Sequence, residues 1–142
     1  MKSVASVIIL FITFSSCAVY ELPVSSFKAR FADVEYDDFK EVEVRGPFGV
    51  RYTYMTHPSP TIDLVSPSGE VVTKEVKPSL EMRVTHSGGK RSLFYFDKVY
   101  ATRRYLYGDQ SRFIDAIKKK ILLDSIEKIE VMDGKKNFKY VN

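Results

Sequence analysis

Two histidines, His57 and His86, and a run of rings and cations from Tyr100 to Lys120 hold most of the chemistry this 142-residue chain can offer. Each histidine is preceded by Thr and followed by turn residues. Neutral imidazole is a common metal ligand, so two such loops could share an ion with an acid such as Asp63. The 29-residue spacing matches no ligand motif, and a pair of exposed turn histidines is the simpler expectation. A serine hydrolase would need a nucleophile beside one of them. Ser87 and Ser92 lie close to His86 in sequence, but no nucleophile-elbow pattern surrounds them. Asp33, Glu35, Asp37 and Asp38 offer carboxylates without the glycine-bearing turn of a calcium loop, and read as a solvated acidic segment. The glycine-rich pieces are hairpin turns, and none opens a helix as a phosphate cradle does. No assembled catalytic constellation, cofactor motif or metal motif is visible, which points away from an enzyme.

The positive signal is basic and aromatic. Arg103, Arg104, Tyr105, Tyr107 and Arg112, preceded by Tyr100 and followed by Lys118, Lys119 and Lys120, mark a candidate surface for an anionic partner. Cations beside exposed rings grip phosphate, sulfate or acidic protein, with stacking and cation–π contact adding to the charge. The competing reading is that alternating rings pack a core and helical lysines face solvent. Charge is unevenly spread: residues 19–44 carry a balance of −4 and residues 83–142 a balance of +7. The two ends could equally face one another within one sheet.

The amino terminus has the layout of a secretory leader. Met1-Lys2 is followed by an almost unbroken apolar run of 11 residues, Val4 to Phe14, then by Ser15-Ser16-Cys17-Ala18. Ser16 and Ala18 occupy the −3 and −1 positions of a cleavage site before Val19. A membrane span wants about 20 apolar residues, and no later segment comes near that length. The expectation is a signal peptide over 1–18 and one secreted domain over 19–142, without a transmembrane segment after the leader. Cys17 is the sole cysteine and would leave with the leader, so the mature chain would be cysteine-free and held by its core or by a partner. A lipid anchor on Cys17 is the alternative, although Phe14 stands where lipoprotein leaders carry Leu. No Asn-x-Ser/Thr triplet occurs.

The mature region has a β rhythm. Val42–Arg45 and Val50–Tyr54 flank Gly46-Pro47-Phe48-Gly49, Ile62–Val65 and Glu70–Lys74 flank Ser66–Gly69, and Leu80–Val84 and Ser92–Phe96 flank His86–Gly89. Each reads as a hairpin. Phe27–Val34 alternates imperfectly as a further strand, and Lys98–Tyr107 adds one more. The period then changes. Phe113, Ile114, Ile117, Ile121 and Leu122, after an Asp109 N-cap, predict an amphipathic helix of about four turns ending near Asp124. Ile129–Val131 and Phe138–Val141 around Asp133-Gly134 predict a closing hairpin. The fold class is α+β, mostly β: an antiparallel meander sheet or partly closed barrel with one carboxy-terminal helix.

Ile62-Asp63-Leu64-Val65, Gly69-Glu70-Val71-Val72 and Lys90-Arg91-Ser92-Leu93-Phe94-Tyr95-Phe96 together resemble the FAINT domain of secreted piroplasm parasite proteins. The resemblance spans about a quarter of the chain and rests on pattern. Those domains are short, cysteine-poor and strand-rich and follow a signal peptide, and they imply neither an enzyme activity nor catalytic residues. They often carry a tryptophan, and this chain has none.

The leading functional reading is a small secreted non-enzymatic binding protein. Its partner would be a protein, a sulfated glycan or an anionic lipid surface in preference to nucleic acid, and its oligomeric state is open. The alternatives are a carrier of a small apolar ligand, with Phe94, Tyr95, Phe96, Tyr100, Tyr105 and Tyr107 lining a cavity, and, last, a hydrolase using His57 or His86.

Overall fold

The computed structural model of the chain describes residues 18–57, 59–111 and 118–141. The expected leader up to Cys17, the candidate Arg112 and the helical positions Phe113, Ile114 and Ile117 lie outside the described residues.

In chain order the elements are β1 (Val19–Glu21), α1 (Val24–Phe31), β2 (Lys40–Arg45), β3 (Arg51–Thr56), β4 (Thr61–Val65), β5 (Val71–Glu75), β6 (Leu80–His86), β7 (Lys90–Tyr95), β8 (Tyr100–Ala101), β9 (Tyr105–Asp109), β10 (Lys118–Leu122), β11 (Ile126–Asp133) and β12 (Lys139–Tyr140). Short 3-10 turns punctuate them, among them Phe96–Lys98 and Leu123–Ser125. All pairings are antiparallel. They build a six-stranded sheet in the order β5-β4-β1-β11-β6-β7 and two three-stranded sheets, β10-β9-β8 and β12-β2-β3. The chain is therefore α+β and mostly β, and the sheets do not close into a barrel.

The three expected hairpins form as β2–β3, β4–β5 and β6–β7. Along β6, Leu80, Met82 and Val84 alternate inward, and the register sets Met82 opposite Val131 and Phe94, and Val84 opposite Ile129. These side chains make one buried row after another, the period-two signature of a sheet with one face in the core. The opposite face carries charge: Glu130 pairs with Arg83 at 2.8 Å and Lys136 reaches Glu81 at 2.6 Å. The hydrogen bond from Arg83 holds the Glu130 carboxyl below the ordinary range, and the bond to Glu81 raises the Lys136 ammonium.

The single helix among the described residues is α1, where a strand was expected over Phe27–Val34. Phe27 and Phe31 stand four residues apart, so helical geometry stacks both on one face, with ring centroids 4.8 Å apart and both buried. In a strand the same spacing would also bury Ala29, leaving the rings too far apart to touch. Phe27 N–H donates to the Pro23 carbonyl at 3.0 Å, closing the first turn.

The carboxy-terminal helix is corrected over Lys118–Asp124. Lys118–Leu122 is a strand and Leu123–Ser125 a 3-10 turn. Ile121 satisfies a strand as well as a helix, because β10 pairs along all five residues of β9 and buries Ile121 opposite Leu106. Lys98–Tyr107 holds two strands, β8 and the start of β9, joined by a tight turn in which Thr102 N–H donates to Tyr105 O at 2.8 Å. The closing hairpin is corrected too. β11 already has β1 on one side and β6 on the other, so no edge remains for a returning strand. The chain crosses to another sheet, where β12 pairs with β2 and Phe138 is buried beside Tyr52.

Candidate binding surface

The β8-β9-β10 sheet gathers the basic-aromatic candidates. Its register sets Tyr100 opposite Tyr107, Tyr107 opposite Lys120, Tyr105 opposite Leu122, and Asp109 opposite Lys118. Alternation puts all of these on one face and sends Ala101, Leu106, Gly108, Lys119 and Ile121 to the other. Tyr100 and Tyr107 stack with centroids 5.0 Å apart and planes 12° from parallel. Tyr105 meets Tyr107 edge-on at 6.2 Å, and Phe39 meets Tyr100 edge-on at 5.6 Å. Two cations lie over the Tyr105 ring, Lys120 Nζ at 4.3 Å and the Arg104 guanidinium at 5.9 Å. Each such exposed contact is worth about 0.5–1 kcal/mol and leaves the charge free to meet a second partner.

The remaining candidates divide. Lys118 is exposed at the rim of a cleft of about 300 Å³ between β3 and β9, lined by Phe39, Tyr54, Met55, Tyr100 and Asp109. Arg103 lines a separate, larger cleft of about 870 Å³ against α1, with Lys28, Asp33 and Glu35. Tyr100 borders both clefts. Lys119, on the reverse face, acts electrostatically on His86. The aromatic set proposed for an apolar cavity is not gathered in one place: Phe94 and Phe96 are core residues, whereas Tyr105 and Tyr107 sit on the ring-bearing face.

Adjoining this face, along the cleft that Tyr54, Lys98, Tyr100 and Asp109 line, is a polar knot that the sequence analysis missed. Asp97 is 0% exposed in the Phe96–Lys98 turn and accepts hydrogen bonds from Tyr54 at 2.5 Å and Tyr140 at 2.9 Å. Its neighbour Lys98 forms an ion pair with Asp109 at 2.6 Å and places its ammonium 4.9 Å from the Tyr54 ring. One turn therefore ties the six-stranded sheet to both smaller ones. The partners of Asp97 are each 43 residues distant, and no local pattern announces them.

Both histidines are buried, which corrects the expectation of exposed turn residues. His57 is 2% exposed, edge-on between the rings of Phe31 and Phe96 at 5.3 Å each. Its Nε2 lies 3.0 Å from the Phe96 carbonyl, so Nε2 carries the proton and donates, while buried Nδ1 has no hydrogen-bond partner among the described residues. Burial lowers its pKa from 6.5, against opposing contributions from the Phe96 carbonyl and Asp97. His86 Nε2 meets Ser92 Oγ at 2.9 Å, the separation of a base and its nucleophile. Ser92 is only 3% exposed, however, and its strand position turns it toward the core opposite Val84. The pair mutually satisfies two buried polar groups. Burial, then Lys119 and Lys90, lower the His86 pKa. Asp63 accepts from Thr73 at 2.6 Å on the far side of β4, and among the described residues no three acidic, His or Cys groups converge on a metal position. No helix among the described residues is long and apolar enough to cross a membrane.

Comparison with protein families, with curated proteins and with solved structures yields no match for this chain.

Proposed function

We propose that the chain is a small secreted binding protein that takes a sulfated glycan on the Tyr100–Tyr105–Tyr107 face. The observation that carries the reading is the seating of Lys120 and Arg104 over Tyr105 beside the stacked Tyr100–Tyr107 pair. Planar rings at the surface offer flat apolar contact for a pyranose ring, and the ring-held cations offer charge for sulfate. A ligand bearing both features uses the whole face; a free anion uses only its charge. Export is supported by the leader pattern ending at Ala18.

The test is titration of the protein with a sulfated oligosaccharide and its desulfated counterpart. Binding to the sulfated form should weaken as salt rises, as displaced counterions require. The Arg104→Glu/Lys120→Glu pair should weaken it about tenfold or more, equivalent to ~1.4 kcal/mol. Tyr105→Ala should weaken both forms. Equal affinity for sulfated and desulfated ligand, or an unchanged affinity in the charge-reversed protein, would remove this face from the argument.

A further inference from the structure

The turn between β2 and β3 presents an aromatic ring that the fold does not use. Phe48 is 104% exposed and adopts φ 60°, a left-handed conformation that bulky side chains rarely occupy. Val50, two residues on, is 47% exposed. The tip is not loose. Gly46 N–H donates to Val50 O at 2.7 Å, and Gly49 N–H donates to Gly46 O at 3.3 Å. At its root a side chain on Gly46 would lie 2.8 Å from the Tyr52 ring and 3.1 Å from Phe138, so the absence of one lets both rings close under the turn. A rigid base thus holds an apolar point out in solvent.

Directly behind the point lies a row of like charge. The register aligns Lys139 with Arg45 and Arg45 with Arg51, three exposed cations side by side across three strands. Like charges directly opposite one another destabilise a sheet. Glu43 relieves part of this through Arg51 at 2.9 Å, and it lies farther from the tip than the row itself. Two local costs, a strained exposed ring and an alignment of cations, therefore converge on one end of one hairpin. Neither contributes to the core. An anionic bilayer offsets both, since it accepts an apolar side chain below a layer of phosphates that neutralise a basic collar.

We propose that the Gly46–Gly49 tip docks the protein on an anionic lipid surface, with Phe48 entering the acyl boundary and Arg45, Arg51 and Lys139 meeting headgroup phosphates. This surface is separate from the ring-bearing face and does not depend on glycan binding there.

The chain contains no tryptophan, so Phe48→Trp creates a reporter that responds at the tip alone, whatever other segments do. The full-length variant is mixed with vesicles of phosphatidylcholine or of phosphatidylcholine with phosphatidylserine. The expected result is a blue-shifted emission, quenched by brominated acyl chains, with the phosphatidylserine vesicles only. It should vanish at high salt and in the background of Arg45→Glu/Lys139→Glu. In sedimentation with the same vesicles, Phe48→Ser should lower partition about tenfold relative to the parent chain. An unshifted tryptophan in the presence of phosphatidylserine vesicles overturns the proposal, whether or not the protein sediments with them. An equal shift on phosphatidylcholine alone overturns the role of the basic collar.

Discussion

Lys98 Nζ lies 2.6 Å from Asp109 Oδ2, with the two side chains only 5% and 10% exposed. The pair links the 3-10 turn after β7 to the end of β9, and so joins the large sheet to the ring-bearing one. Taking both charges out of water is costly, and their attraction offsets that cost only while both are present. Removing one partner should therefore do far more damage than removing both. Lys98→Met is expected to lower unfolding free energy by about 3–5 kcal/mol because it strands the Asp109 carboxylate. Lys98→Met/Asp109→Leu should recover most of the loss. Denaturant titration of the three proteins measures this, and a double variant no better than the single would show that the pair has no such coupling.

Acidification should destabilise the protein through its buried histidines. Burial, the largest influence on His57, lowers its pKa from 6.5, and Arg30 and Lys40 push the same way while Asp97 opposes. His86 is lowered as well. Well above pH 6.5, from about pH 8, both imidazoles are neutral in folded and unfolded chains and contribute nothing to the pH dependence. As pH falls through 6.5, the unfolded chain takes up protons that the folded chain refuses, and stability declines until the folded pKa is reached. The slope is at most about 1.4 kcal/mol per pH unit for each histidine. His57→Gln, which can still donate to the Phe96 carbonyl but does not titrate, should flatten the decline that begins as pH falls through 6.5. Glu130 acts in a lower window, because its carboxyl is held below 4.5 by Arg83 and its contribution fades only as pH falls below that value. Unfolding curves across this range, with an unaltered slope in His57→Gln, would show that His57 does not refuse the proton.

The parts of this fold that sequence reading recovers are those encoded within a few residues. Gly46-Pro47, Pro67-Ser68-Gly69 and Gly88-Gly89 are turn signals between alternating runs, and each produced its hairpin. Which sheet a strand joins is decided elsewhere. Asp133-Gly134 carries a hairpin signal as strong as any, but β11 is flanked on both sides before the chain could return. Phe27 and Phe31 read as a broken alternation until the helix brings their rings together. Ile121 fits both periods, and only pairing with β9 selects the strand. The surface candidates Tyr105, Tyr107 and Lys120 were legible as types because rings and cations cluster in the sequence. Their common face was not, since it depends on the register of β10 against β9. The Asp97 knot was hidden altogether. Its hydroxyl donors come from β3 and β12, strands on opposite sides of β2 that share a sheet only after the crossover.

Packing between the sheets sets the last expectation. β9 approaches the large sheet through Gly108, where a Cβ would stand 2.6 Å from Phe94 Cδ1 and 3.1 Å from Val99 Cγ1. Phe94 and Val99 are fully buried core residues, so neither ring nor methyl has space to yield. Gly108→Ala should therefore push β9 outward or force Phe94 off its rotamer, at a cost of about 1–3 kcal/mol. Gly108 does not have a positive φ, so the penalty would arise from contact and not from backbone conformation. That difference has a measurable signature. Trimming the opposing ring with Phe94→Leu costs stability on its own, yet combined with Gly108→Ala it should cost less than the sum of the two single changes, because the smaller side chain makes room for the new methyl group. Strict additivity in the double-variant cycle would place the strain somewhere other than the Gly108–Phe94 contact. The same displacement would tilt the β9 register against β8 and separate Tyr107 from Tyr100, so Gly108→Ala should also weaken any ligand that depends on the stacked pair, even though residue 108 faces away from it.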